Sequence, residues 1–174
     1  MRSRLGPLPS TVPPMSRSPR LAFAILALFG LAAFFGGALL GKLMHLAACP
    51  LCILQRMLYL VVGVLGLAGL AVARTRMPAR IVAALAAAAA ATGLWVAVYQ
   101  TWLQRHPEGP SCTAETPWWE MLVYRAGEFA PDFFLSSGMC SDPGFTLFGL
   151  TIANYSILLF LFLAVVGAGR LLRR

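Results

Sequence analysis

Four apolar runs, each of helix length, are spaced along the chain. Leu21–Leu40 carries no charge anywhere along its length. At about 1.5 Å of rise per residue, a helix over that run covers about 30 Å, the thickness of bilayer hydrocarbon. Met57–Ala73 is a second, shorter run between Arg56 and Arg74, near the lower limit for spanning. Ile81–Val98 is a third, very rich in alanine, and Leu147–Ala168 is a fourth, interrupted only by Thr151, Asn154, Tyr155 and Ser156. In lipid the backbone must satisfy its own hydrogen bonds, so each run predicts a helix. Gly30, Gly36, Gly37, Gly63, Gly66 and the alanines of 86–91 predict close helix packing. The expected fold is an all-α integral membrane protein, a four-transmembrane-helix bundle.

The intervening segments differ in length. Residues 1–20 contain five prolines with Ser and Arg, and read as a tail that forms no packed element. Met15-Ser-Arg-Ser-Pro-Arg20 leads straight into the first run, so residues 1–14 are expected to be dispensable. The membrane domain is expected over 21–168, followed by a basic end, 169–174. Residues 41–56 make a short first loop, 74–80 a tight second one, and 99–146 the only long loop. That loop contains Trp118-Trp119-Glu120-Met121-Leu122-Val123-Tyr124 and Phe133-Phe134-Leu135, too apolar for a free loop. They predict a short interfacial helix lying on the bilayer. The competing expectation is a packed hairpin over the bundle.

Composition removes the main alternatives. The chain is 59% hydrophobic and 11% charged, against about 25% charged in soluble domains. Its mean hydropathy is +0.77. Neither a soluble domain nor a disordered chain has these values. The net charge of +8 would suit nucleic acid, but its distribution argues for topology instead. Ten of the 14 basic residues lie in the tail (Arg2, Arg4, Arg17, Arg20), the second loop (Arg74, Arg76, Arg80) and the C-terminus (Arg170, Arg173, Arg174). All six acids lie in the long loop. The positive-inside rule then puts both termini and the second loop in the cytosol, and the first and third loops outside. No nucleic-acid partner is expected. Trp102, Trp118, Trp119 and Tyr99 suit the outer interface. No Asp or Glu falls in a run, so no carboxylate is available for a midplane ion site. Leu46-Ala47-Ala48-Cys49 has the look of a lipidation site, but Lys42, His45 and Pro50 and the length of the preceding run argue against processing there.

The chemistry-bearing residues are Cys49, Cys52, Cys112 and Cys140, all in loops assigned to the outside. An even number of cysteines on an oxidising face reads as disulfides. Cys49-Pro50-Leu51-Cys52 is a C-x-x-C pair where the second helix begins. Its two sulfurs can bridge or separate with little backbone movement. Pro50 suits the first helical position, where its missing N–H has no partner anyway. Cys52 then falls in the first turn, where the positive helix end favours a thiolate. Arg56, four residues on, shares its face. A thiolate and a guanidinium facing the bundle make a site for an electron-accepting ring. The bland alternatives are a structural C-x-x-C staple with Arg56 snorkelling to headgroups. Cys112 and Cys140, well separated within the long loop, would alone read as a loop staple. Beside a C-x-x-C, they and it form a relay of two disulfides. A zinc site would ask for two close pairs, and only one is present, so no metal is expected.

Cys49-Pro-Leu-Cys52-Ile-Leu-Gln-Arg56, followed by Cys112 and by Ser137-Gly138-Met139-Cys140 in the outer second loop, strongly resembles the disulfide bond formation protein B (DsbB) family. The resemblance covers 21 to about 168. Phe148-Gly149-Leu150 and Gln100-Thr-Trp-Leu-Gln104 also look familiar. Some members carry His where Gln100 stands, so no histidine role is carried over, and the long N-terminal tail is atypical. The family system DsbA–DsbB–quinone keeps the bacterial periplasm oxidising. The resemblance implies an inner-membrane thiol:quinone oxidoreductase with periplasmic cysteine loops. It implies Cys49–Cys52 and Cys112–Cys140 as the redox disulfides. A reduced, DsbA-like thioredoxin-fold partner would attack Cys112, and released Cys140 would attack Cys49. Cys52 would pass electrons to ubiquinone or menaquinone, with Arg56 at a quinone oxygen. DsbA itself is the type case of such a partner, with a potential of about −120 mV against about −180 to −230 mV for ordinary oxidoreductases. Two other readings stand beside this one. A vitamin K epoxide reductase-like enzyme would place its loop cysteines before the C-x-x-C, the reverse of the order here. A non-enzymatic membrane subunit would hold two structural disulfides.

Overall fold

The computed structural model describes residues 19–106 and 117–172. The N-terminal tail, Cys112 with its flanking residues, and the last two arginines lie outside the described residues. Among the described residues, four helices are long and apolar enough to cross a membrane: α1 (Pro19–Leu43), α2 (Pro50–Val72), α3 (Arg76–Arg105) and α6 (Ile152–Leu172). Two shorter helices, α4 (Trp118–Phe129) and α5 (Pro131–Phe134), and a hairpin of β1 (Thr146–Leu147) with β2 (Leu150–Thr151) fill the segment between α3 and α6.

The long helices close a ring in which α1 packs on α2, α2 on α3, α3 on α6 and α6 on α1. Lipid gives no hydrophobic reward for pairing helices, so close backbone approach does the holding. The α1–α2 seam depends on it. A Cβ on Gly30 would stand 2.6 Å from the Gly63 nitrogen, and one on Gly66 would stand 2.7 Å from the Ala27 Cα. The core is built from Phe23, Leu26, Val62, Phe160 and Leu163, with a stripe of α3 alanines (Ala79, Ala83, Ala86, Ala90) beneath them. Tyr59 of α2 stacks on Phe160 of α6, ring centroids 4.0 Å apart.

The helices run past the apolar bands that mark them in sequence. The second starts at Pro50, as the C-x-x-C reading expects, ahead of the apolar run at Met57, with polar Gln55 and Arg56 inside the helix. The third extends from Arg76 to Arg105 rather than 81–98, so its last turns carry Gln100 and Gln104 past the apolar run. A 30-residue helix is about 45 Å long, against a core of about 30 Å. The fourth run behaves in the opposite way. Residues 147–151 are hairpin, and the helix begins only at Ile152. Phe148 (φ 52°) and Gly149 (φ 77°) are both left-handed, the geometry of a two-residue turn between antiparallel strands. Thr146 pairs with Thr151 and Leu147 with Leu150.

At the same end of the bundle, α5 is pinned to α1. Phe133 and Phe134 lie against Phe34, with centroids 5.7 and 5.8 Å away. Lys42 Nζ meets Asp132 Oδ1 at 2.8 Å. This exposed ion pair contributes about 0–1 kcal/mol, so the aromatic contact is the stronger anchor.

Candidate thiol site

Cys49 is the N-cap of α2. Its backbone is extended (φ −83°, ψ 163°), its carbonyl accepts from Ile53 N at 3.1 Å, and its sulfur accepts from Cys52 N at 3.3 Å. Pro50 occupies the first helical turn, as expected from its missing N–H. The capping geometry turns the Cys49 sulfur back over the first turn and onto Cys52. The two Sγ atoms are 3.0 Å apart.

Cys140 joins them from the other end of the chain. It packs with Cys49, Cys52 and Trp119 around buried Leu51 and Val96. Its sulfur is hydrogen-bonded to Cys49 and to the backbone of Leu51 at the start of α2. The hydrogen bond from Cys49 holds the Cys140 thiol below its ordinary value, against burial. Hydrogen bonds to Cys140 and Cys52, with burial, push the Cys49 thiol well above its own. Cys140 packs against Cys49. Cys112 lies outside the described residues.

Arg56 reaches back over the first turn of α2. Its Nη1 donates to the Phe133 carbonyl at 3.3 Å, and its charge is felt at Cys52 and Cys49. Gly37 and Gly41 of α1 leave it room: a Cβ on Gly41 would stand 3.0 Å from its Nη2. The guanidinium is thus held between α1 and the loop that carries Phe133.

Two residues without a role assigned from sequence complete the site. Gln55 and Gln100 are 4% and 2% exposed. Gln55 Nε2 donates to Gln100 Oε1 at 2.6 Å, and Gln100 Nε2 donates to Cys52 Sγ at 3.0 Å and Cys49 Sγ at 3.4 Å. The Gln55 donation fixes which way the Gln100 amide points, so its N–H side faces the sulfurs. The signal was present in the sequence as an uncharged amide just past the end of the third apolar run. In a membrane helix such a residue asks for a partner.

Cys49, Cys52, Gln55, Arg56 and Gln100 border one cavity of about 340 Å³, whose other walls include Ala33, Leu40, Tyr59, Met139, Ser156 and Leu159. Its walls are mainly apolar with a few convergent polar groups, and its size is that of a small-molecule site.

Fold and site together define a membrane thiol oxidoreductase: a four-helix bundle with cysteine sulfurs stacked at one end against an apolar cavity. The chain matches the family model described as "Disulfide bond formation protein DsbB" over residues 19–169. It is 41% identical to disulfide bond formation protein B of Dechloromonas aromatica (strain RCB) over 143 residues, covering 81% of this chain and 85% of that one. It is 35% identical to the protein of the same description from Nitrosospira multiformis (86% and 90% covered) and 34% identical to that of Stutzerimonas stutzeri (90% and 97% covered). The chain belongs to the DsbB family of disulfide bond formation proteins.

Proposed function

We propose that this chain re-oxidises a soluble, DsbA-like thioredoxin-fold dithiol and delivers the electrons to a quinone of the bilayer, ubiquinone or menaquinone. The observation that carries the reading is the line of sulfurs from Cys140 through Cys49 to Cys52, ending at a cavity bordered by Arg56 and Gln100. Its orientation follows from the basic excess at the opposite end of the bundle. The protein is then a multi-pass protein of the bacterial inner membrane, with cytosolic termini and periplasmic cysteine loops. We read α4 as an interfacial helix, because Trp118, Leu122 and Phe129 are exposed while Val123 is fully buried.

The residues present suit a quinone. Ala33, Leu40 and Leu159 would supply apolar wall for a ring, and Arg56 is the residue that would hold an oxygen of it. A bound quinone supplies an acceptor for two electrons and two protons. The chain does the remainder. Cys112 receives the attack of the partner's thiolate and is left in a mixed disulfide, which releases Cys140. Cys140 attacks Cys49 in an oxidised Cys49–Cys52 pair, and Cys52 leaves as a thiolate. The Gln100 amide donates to that sulfur, and Arg56 places positive charge beside it. Both interactions strengthen as negative charge develops, which is the condition for lowering a barrier. The apolar walls keep water from the leaving thiolate.

The test is a purified chain in lipid vesicles, given a reduced thioredoxin-fold dithiol and either quinone. One disulfide formed in the partner for each quinol is expected. Dithiol that stays reduced under these conditions would sink the reading.

A further inference from the structure

We propose that Gly138 is the positioning residue that couples the outer cysteine pair to the membrane pair, by closing a backbone clamp on Ala48 that seats Cys140 against Cys49. The inference rests on the relay reading above and adds the device that makes its middle step fast.

The N–H groups of Ser137 and Gly138 both donate to the carbonyl of Ala48, at 2.9 and 3.0 Å. Ala48 immediately precedes Cys49, and Cys140 lies two residues beyond Gly138. One carbonyl thus ties together the two backbone segments that carry the reacting sulfurs. The approach leaves no space for a side chain. A Cβ on Gly138 would run into the Ala47 oxygen and stand 2.9 Å from the Ala47 carbonyl carbon. Those are backbone atoms and cannot swing aside as a side chain would. Met139, the residue between the clamp and Cys140, is 71% exposed, so its side chain adds little to the seating. Upstream, Phe133 and Phe134 lie on Phe34, which fixes the start of the segment but not the sulfur at its end.

In the step at issue, the Cys140 thiolate attacks Cys49 Sγ. The Cys140–Cys49 bond forms, the Cys49–Cys52 bond breaks, and Cys52 leaves with the electron pair. No other oxidant is consumed. Misplacing a reacting atom by about 1 Å costs about 100-fold in rate. Gly138→Ala should therefore slow this transfer while leaving the attack of the partner on Cys112 alone.

Two measurements on the full chain test the clamp. The first uses the Cys52→Ser, Cys112→Ser background, where Cys49 and Cys140 are the only cysteines, and follows their cross-linking under mild oxidation. Gly138→Ala is expected to slow it at least tenfold. Ser137→Pro, which removes one donor without adding a Cβ at 138, should act in the same direction. Gly36→Ala, which meets nothing within 4 Å, should leave it unchanged. The second uses the four-cysteine chain with a reduced thioredoxin-fold dithiol and ubiquinone. Gly138→Ala should form the adduct through Cys112 at the normal rate and yield at least tenfold less quinol. Retained adduct formation marks a folded chain, and a general loss of structure would remove both readouts. Cross-linking at the background rate in both Gly138→Ala and Ser137→Pro overturns the clamp. Quinol absent from the unsubstituted chain, with cross-linking still dependent on Gly138, would instead reject the relay reading and keep the clamp.

Discussion

Gln100 Nε2 stands 3.0 Å from Cys52 Sγ, an amide on α3 donating to a sulfur on α2. The contact matters because Gln100 is itself held by Gln55, so the donor is set before any charge appears on the sulfur. A hydrogen bond to a charged group is worth about 1.5–3 kcal/mol. Gln100→Leu should therefore lower the rate of quinone reduction by about 10- to 100-fold. Gln55→Leu, which lets the amide turn, should have a smaller effect in the same direction. Turnover on equal amounts of folded protein is the measurement. An unchanged rate in Gln100→Leu would make the amide pair purely structural.

The cysteine roles separate under substitution. Cys49→Ser keeps a Cys112–Cys140 disulfide and removes the sulfur that Cys140 would attack, so a mixed disulfide between Cys112 and a single-thiol partner should accumulate, with Cys140 released as its thiolate. Arg56→Ala should leave that adduct intact and slow quinone reduction by about tenfold or more, since only the acceptor side loses its positive charge. Gel mobility under non-reducing conditions reads the first and absorbance of the quinone the second. A wild-type rate for Arg56→Ala at all quinone concentrations would reduce Arg56 to an anchor for the Phe133 carbonyl.

Cys140 and Cys49 should differ in their response to pH. Cys140 is held below the ordinary thiol value by its hydrogen bond from Cys49, and Cys49 is pushed above it. In reduced Cys112→Ser protein, Cys140 should be alkylated at lower pH than Cys49. Cys49 should stay unreactive where Cys140 reacts, because its thiol keeps its proton. Peptide mapping after a timed alkylation series checks the order. Cys49 reacting first would reverse the roles of nucleophile and target.

The α1–α2 seam should be intolerant of a single methyl group. Gly66→Ala places a Cβ on the backbone of Ala27, and such overpacking costs about 1–3 kcal/mol. Gly36→Ala has open space and should stay within about 0.5 kcal/mol. Thermal unfolding of the two variants in detergent gives the comparison. Equal melting temperatures would show that the helices can separate there at no cost.

Sidedness is open to direct labelling. Reporters fused after Arg76 and after Arg174 should behave as cytosolic, and one at Glu120 as periplasmic. A periplasmic C-terminus would reverse the sides of the cysteine loops.

The number of spanning helices, their order and the position of the C-x-x-C at the start of one were legible in the residues themselves. Hydropathy along one helix length is a local property, and capping by Cys49 with Pro50 behind it is decided within one turn. The face shared by Cys52 and Arg56 follows from helical periodicity alone. Helix ends were less legible. Hydropathy marks the lipid-facing band, whereas α2 and α3 continue as long as the backbone can hydrogen-bond, and the turn at Phe148-Gly149 breaks an apolar run that no charge interrupts. Three relationships came only from the tertiary structure. Gln100 meets Cys52 from far along the chain, Gln55 finds its acceptor on another helix, and Ser137 and Gly138 close on the carbonyl of Ala48. Each joins segments that are distant in the chain, through groups whose composition says nothing about partners. Backbone N–H donors and neutral amides are the same everywhere in a sequence, and only packing decides which sulfur or carbonyl lies in front of them.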